Sequence, residues 1–106
     1  MNPIEKKVLE RVRALLLERV RLYKLILFGS RARGEADPYS DMDVVVILDE
    51  PPDEKNRNVA SDCAWEAGFE VGIVVVPVVF SRDEWEQGPE RYSLLVQAVE
   101  AEGVPV

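Results

Sequence analysis

The sequence predicts a small α/β (α+β) domain: a three- to four-stranded mixed sheet with helices packed mainly on one face. Three observations predict it. An apolar stripe at three- and four-residue steps occupies the N-terminal segment. Three runs rich in valine, leucine and isoleucine follow, at Leu25–Phe28, Asp43–Leu48 and Glu70–Val76. Helical patterns separate and follow these runs. At 106 residues the expectation is one domain, 1–106.

Asn2-Pro3 is a helix-start signal, an N-cap side chain followed by proline at the first helical position. Ile4, Val8, Leu9, Val12, Leu15, Leu16, Val20 and Leu22 then mark an amphipathic helix of about five turns. Leu25–Phe28 and Asp43–Leu48 lack polar alternation, so both faces of each strand are expected to be covered. Asp49–Asp53 reads as a linker. Asn56–Ala67 reads as a helix with Val59, Cys63 and Ala67 on one stripe and Gly68 as its stop. Glu70–Val76 reads as the third strand, ended or bent by Pro77, with Val78–Phe80 a separate segment. Ser81 and Glu84 form a capping box for a short helix carrying Trp85. Tyr92, Leu95, Val96 and Val99 line a last helix ending at Gly103. Trp65 and Trp85 are expected in the core or against a partner.

Composition narrows the chemistry. There is no histidine, which removes Ser-His and Cys-His nucleophile pairs and histidine-ligated zinc. The single cysteine, Cys63, excludes an intramolecular disulfide and reads as a small core residue. A net charge of −7 argues against direct nucleic-acid binding, whose affinity comes mostly from neutralising phosphates. No apolar run reaches the ~18 residues of a membrane span, and charged residues interrupt the N-terminus early. The expectation is a cytoplasmic protein with no membrane partner.

The informative stretch runs from Leu25 to Leu48. An apolar run ends at Gly29-Ser30, the polar segment Arg31-Ala-Arg33-Gly34 follows, and Ser40-Asp41-Met42-Asp43 opens the next apolar run. A glycine directly after a strand lets the backbone approach a ligand closely. If Ser30 starts a helical turn, the free N–H groups there form an anion site, and the Ser30 hydroxyl adds a donor. Arg31 and Arg33 stand near enough to offer guanidinium groups to phosphate oxygens. Asp41 and Asp43, two residues apart on a strand, point to the same side. Left alone they repel, and a divalent cation relieves the repulsion; clustered carboxylate oxygens suit Mg²⁺, with Mn²⁺ as a substitute. In two-metal phosphoryl transfer such carboxylates bridge both ions. Each piece alone is common in loops. The ordered combination is far more specific.

Gly29-Ser30-Arg31-Ala32-Arg33-Gly34 followed by Ser40-Asp41-Met42-Asp43-Val44 resembles the signature of the DNA polymerase beta-like nucleotidyltransferase superfamily, and more closely the minimal nucleotidyltransferases, the MNT proteins. The resemblance implies the nucleotidyltransferase fold over nearly the whole chain. It implies a nucleoside triphosphate bound by Gly29 and Ser30, and two Mg²⁺ ions held by Asp41 and Asp43; we take ATP as the expected donor and Arg33 as a further phosphate-binding residue. It implies transfer of a nucleoside monophosphate to a hydroxyl acceptor. Many minimal members act as antitoxin to a helical HEPN partner, in some cases by adenylylating a tyrosine of it. A domain this small is expected to rely on such a partner, or on a homodimer, to complete its cleft.

The resemblance also implies a third carboxylate on a later strand. On the Phe69–Val76 run only Glu70 is acidic among residues 70, 72 and 74, which share a face by period two. Either Glu70 is that third catalytic and metal-binding carboxylate, or the site has two acids. We take Glu70 as the reading at this level. The rival is a catalytically weak or inactive nucleotide- and partner-binding antitoxin subunit acting by occlusion.

Overall fold

Asn2 caps the first helix as its position predicts, accepting from the Glu5 N–H at 2.7 Å while the Glu5 carboxylate accepts from the Asn2 N–H at 2.9 Å. The computed structural model describes all residues, 1–106. The first helix, α1, spans Pro3–Leu17. It is shorter than the apolar stripe suggests, because β1 already starts at Leu22 and runs to Phe28. The N–H of Arg21 donates to the Glu50 carboxylate, and Leu22 pairs with Leu48, so the chain between α1 and Leu25 is taken up by the sheet.

Strand β2 is Met42–Leu48 and lies antiparallel to β1, with Phe28 opposite Asp43. Helix α2, Glu54–Phe69, is capped by Asp53, whose side chain accepts from the Asn56 N–H at 2.9 Å. It runs past Gly68. That glycine is a point of close approach rather than a stop signal: a Cβ there would strike the Ile73 carbonyl oxygen. The N–H groups of Val71 (3.3 Å) and Ile73 (3.0 Å) both return to the Gly68 carbonyl, folding residues 70–74 into a reversal.

The third strand therefore differs from the sequence expectation. β3 is Val75–Ser81, one continuous strand through Pro77, and Glu70–Val74 lies outside it. Proline is tolerated because β3 is the edge of the sheet, with a neighbour on one side only. β3 runs parallel to β2, pairing Met42 with Val75 and Asp43 with Val76. Ser81 then caps α3, Arg82–Glu86, through the expected capping box with Glu84. A short 3₁₀ turn at Pro89–Tyr92 leads to α4, Leu94–Glu102, and to a two-residue strand β4, Val104–Pro105, antiparallel to β1. The sheet order is β3-β2-β1-β4, a mixed four-stranded sheet as the sequence predicts.

Two apolar clusters flank this sheet. Val8, Leu9, Val12 and Leu16 of α1 and Val59, Cys63 and Ala67 of α2 pack on Leu25, Leu27, Val44, Val46 and Val75. On the other face, Trp85, Val96 and Val99 meet Ile26, Val45, Ile47 and Phe80, with Phe80 edge-on to Trp85 at 5.3 Å. The long helices cover one face as expected. The short α3 and α4 cover only part of the second, and Asp43 is on that second face by alternation with Val45 and Ile47. Trp65 is exposed and stacks on Phe69 at 4.7 Å. Tyr92 is exposed and precedes α4 rather than lining it. No helix is long and apolar enough to cross a membrane.

Candidate nucleotide and metal site

Gly29 leaves β1 with φ +75°, a left-handed conformation that side chains resist. Its position against Asp43 is as close as a glycine allows, since a Cβ there would sit 2.6 Å from Asp43 Oδ2. The register places this contact: Phe28 pairs with Asp43, so the residue after the strand passes directly over the carboxylate. The chain then coils. The N–H groups of Ala32 (3.1 Å) and Arg33 (3.2 Å) return to the Gly29 carbonyl, and that of Glu35 (3.0 Å) to the Ser30 carbonyl. The N–H groups of Ser30 and Arg31 donate to nothing in this turn. They are free donors at the first turn of a helix-like coil, the arrangement that binds anions.

Asp41 and Asp43 flank Met42, which is fully buried towards the helices, so the two carboxylates face the other way. Burial pushes the Asp43 carboxyl above its ordinary value, and the charge of Asp41 pushes it further. Neither carboxylate has a cationic partner in the chain. Two hard oxygen ligands with unbalanced charge fit one divalent cation of the Mg²⁺ or Mn²⁺ type.

The two arginines have different fates. Arg31 turns inward and is buried. Its guanidinium pairs with Glu5 at 3.1 Å and donates to the Ser40 carbonyl at 3.0 and 2.7 Å and to the Pro38 carbonyl at 3.2 Å. It is a staple holding the loop and the start of β2 to α1, and it offers nothing to a phosphate. Arg33 stays at the surface, paired with Glu35 at 3.0 Å and Glu102 at 3.4 Å. Both neighbours hold its guanidinium above its ordinary pKa, the Glu35 hydrogen bond most of all. In sequence, the one mark on Glu5 is its place three residues after Asn2, as the partner in a capping box.

Glu70 does not join Asp41 and Asp43. It caps the C-terminus of α2 and lines a depression with Lys7, Glu10, Arg11 and Ala14 of α1. No three acidic or cysteine side chains converge in a way that could hold a metal. The reading of Glu70 as a strand residue fails because α2 continues to Phe69 and the chain reverses before β3 begins. The β3 residue beside Asp43 is Val76, and Val78 follows on the same face.

A family model described as nucleotidyltransferase domain matches residues 5–101. The chain belongs to this nucleotidyltransferase family. Among named relatives, MJ0141 of Methanocaldococcus jannaschii, provisionally named a protein adenylyltransferase, is 32% identical over 62 residues, 58% of this chain and 63% of that protein. MntA of Haemophilus influenzae, named a probable protein adenylyltransferase, is 40% identical over 50 residues, 47% of this chain and 44% of that protein. The match thus spans less than two thirds of the length of these relatives. Among solved structures, a crystal structure of a toxin–antitoxin with AMP-PNP superposes with a TM-score of 0.65 at 22% identity, over 91% of this chain and 69% of that one. A complex of tri-AMPylated Shewanella oneidensis HEPN toxin with MNT antitoxin gives 0.60 at 19% identity, over 96% and 70%. At such identities these likenesses establish the shared nucleotidyltransferase fold.

Proposed function

We propose that this nucleotidyltransferase moves a nucleoside monophosphate, AMP from ATP, onto a hydroxyl of a HEPN-type helical partner in the cytoplasm, as the antitoxin of a toxin–antitoxin pair. The observation that carries the reading is the contact of Gly29 with the Asp43 carboxylate. It puts a backbone anion corner and an acid pair in one small volume, as a triphosphate with its metal requires. The names of the relatives support the choice of AMP and of a protein acceptor.

In this reading the N–H groups of Ser30 and Arg31 and the Ser30 hydroxyl hold phosphate oxygens. Gly29 keeps the backbone low enough for them to reach. Arg33 adds charge at the rim once it exchanges a carboxylate partner for phosphate. Asp41 and Asp43 hold Mg²⁺, which supplies charge neutralisation and alignment of the phosphates. The acceptor hydroxyl gives its proton to solvent water as its oxygen attacks the α-phosphorus, the bond from that phosphorus to the bridging oxygen breaks and pyrophosphate leaves.

A second reading is favoured by one observation, the valines at 76 and 78 where a third acid would stand. Without that acid the hydroxyl has no base on β3, and neutralisation by occlusion becomes sufficient. Incubation of the two proteins with α-labelled ATP and Mg²⁺ separates the readings. Label on the partner that disappears with Asp43→Ala supports transfer. Neutralisation that survives Asp41→Ala with Asp43→Ala, with no label at any stage, sinks it.

A further inference from the structure

We infer that the site takes a single divalent ion with its nucleotide, not a pair, and that Val76 sets this number. The inference rests on the reading of Asp41 and Asp43 as metal ligands. A second ion in a phosphoryl-transfer site lies about 3.5–4 Å from the first and needs its own anionic ligand on the far side of the shared carboxylates. The parallel register Asp43–Val76 fixes which side chain can reach that place. Partners in a parallel pair project to the same face, so position 76 stands beside the Asp43 carboxylate, with 78 one step further on. Both are half-buried valines. On the other flank, β1 presents Phe28 opposite Asp43. The acid pair is therefore bordered by apolar side chains on both neighbouring strands.

No acid comes from elsewhere. Glu70 is turned away at the end of α2, and no further acidic side chain converges with Asp41 and Asp43. Two carboxylates balance the charge of one divalent ion. A second ion would meet the repulsion of the first with only substrate oxygens and water to hold it. Position 76 is the one place on β3 where a single substitution adds a carboxylate against Asp43, and its half-exposed setting on an edge strand accommodates a polar side chain.

The test counts Mn²⁺ bound per chain in the presence of a saturating non-hydrolysable ATP analogue, by equilibrium dialysis and by the electron spin resonance signal of free Mn²⁺. The unsubstituted protein is expected to bind one ion, Val76→Asp two, and the uncharged control Val76→Asn one. Glu70→Gln is expected to leave the count at one. Two ions in the unsubstituted protein overturn the inference without touching the proposed function. No ion at all, with nucleotide binding indifferent to Asp43→Ala, overturns both. A folded Val76→Asp that still binds one ion, or a count that falls with Glu70→Gln, overturns the role given to position 76. If Val76→Asp does not fold, the count in the unsubstituted protein and in Glu70→Gln decides the matter.

Discussion

Replacing Glu5 with alanine should damage this fold more than deleting any of the exposed charges in the chain. The Glu5 carboxylate does two things at once. One oxygen accepts from the Asn2 N–H, and the other pairs with Arg31 at 3.1 Å. The pair is almost wholly dry, with side-chain exposures of 3% for Arg31 and 7% for Glu5. Removing one member of a buried pair leaves an uncompensated charge, a loss of about 3–5 kcal/mol. The broken capping box adds about 1 kcal/mol. At roughly 4–8 °C per kcal/mol for a domain of this size, Tm should fall by well over ten degrees. Glu5→Gln keeps an acceptor for the Asn2 N–H and loses the charge, so it should fall between. Urea denaturation followed by circular dichroism, on Glu5→Ala, Arg31→Met and the double variant, gives the coupling directly. A loss near or below 1 kcal/mol for Glu5→Ala, with coupling under ~0.5 kcal/mol, is the behaviour of an exposed pair and would refute the assignment.

Three other substitutions test separate parts of the structure. Gly29→Ala puts a Cβ into both a positive-φ position and the Asp43 carboxylate; ATP affinity measured by calorimetry should drop at least tenfold, and unchanged affinity would remove Gly29 from the site. Gly68→Ala drives a methyl into the Ile73 carbonyl and should cost about 1–3 kcal/mol in the same denaturation assay, and an unchanged stability would remove the close approach. Asp43→Asn should stabilise the metal-free protein at pH 7, by about 1 kcal/mol or less given its half-exposed position, while ending transfer. The sign follows from its raised carboxyl pKa: the folded state favours the protonated acid, so the stability this gives is present at low pH and lost as pH rises through the folded value. The Tm advantage of Asp43→Asn in EDTA should accordingly be present at pH 7, shrink as pH falls through the raised folded value and be gone below the ordinary carboxylate range, and an advantage that grows on acidification would contradict it.

The corner from Gly29 to Asp43 could be read in sequence because its parts are consecutive. A strand end, a glycine and an acid pair fall within the sixteen residues from Phe28 to Asp43, and local geometry decides how they meet. What could not be read depended on distant partners. Arg31 looks in sequence like Arg33, a charged residue after a turn. It is buried because Glu5, 26 residues earlier, waits on α1. The Phe69–Val76 run carries no mark of where α2 ends. Gly68 resembles a stop signal, yet the helix runs past it to Phe69, and the missing side chain makes room for the Ile73 carbonyl instead. That shift moved β3 to begin at Val75, placed Val76 beside Asp43 and left Glu70 on the far side of the reversal. The two-residue β4 has too few residues to show any pattern and exists only because β1 offers it an edge.

The central claim is that the Gly29-Ser30 corner and the Asp41-Asp43 pair form one nucleotide–metal site. Calorimetric titration of ATP into the protein, with Mg²⁺ and with EDTA, tests it most directly, repeated on Asp41→Ala and Ser30→Ala. Binding should be saturable, require Mg²⁺, be lost in Asp41→Ala and be weakened in Ser30→Ala. Binding that is equally strong in EDTA, or that survives Asp41→Ala unchanged, would contradict it.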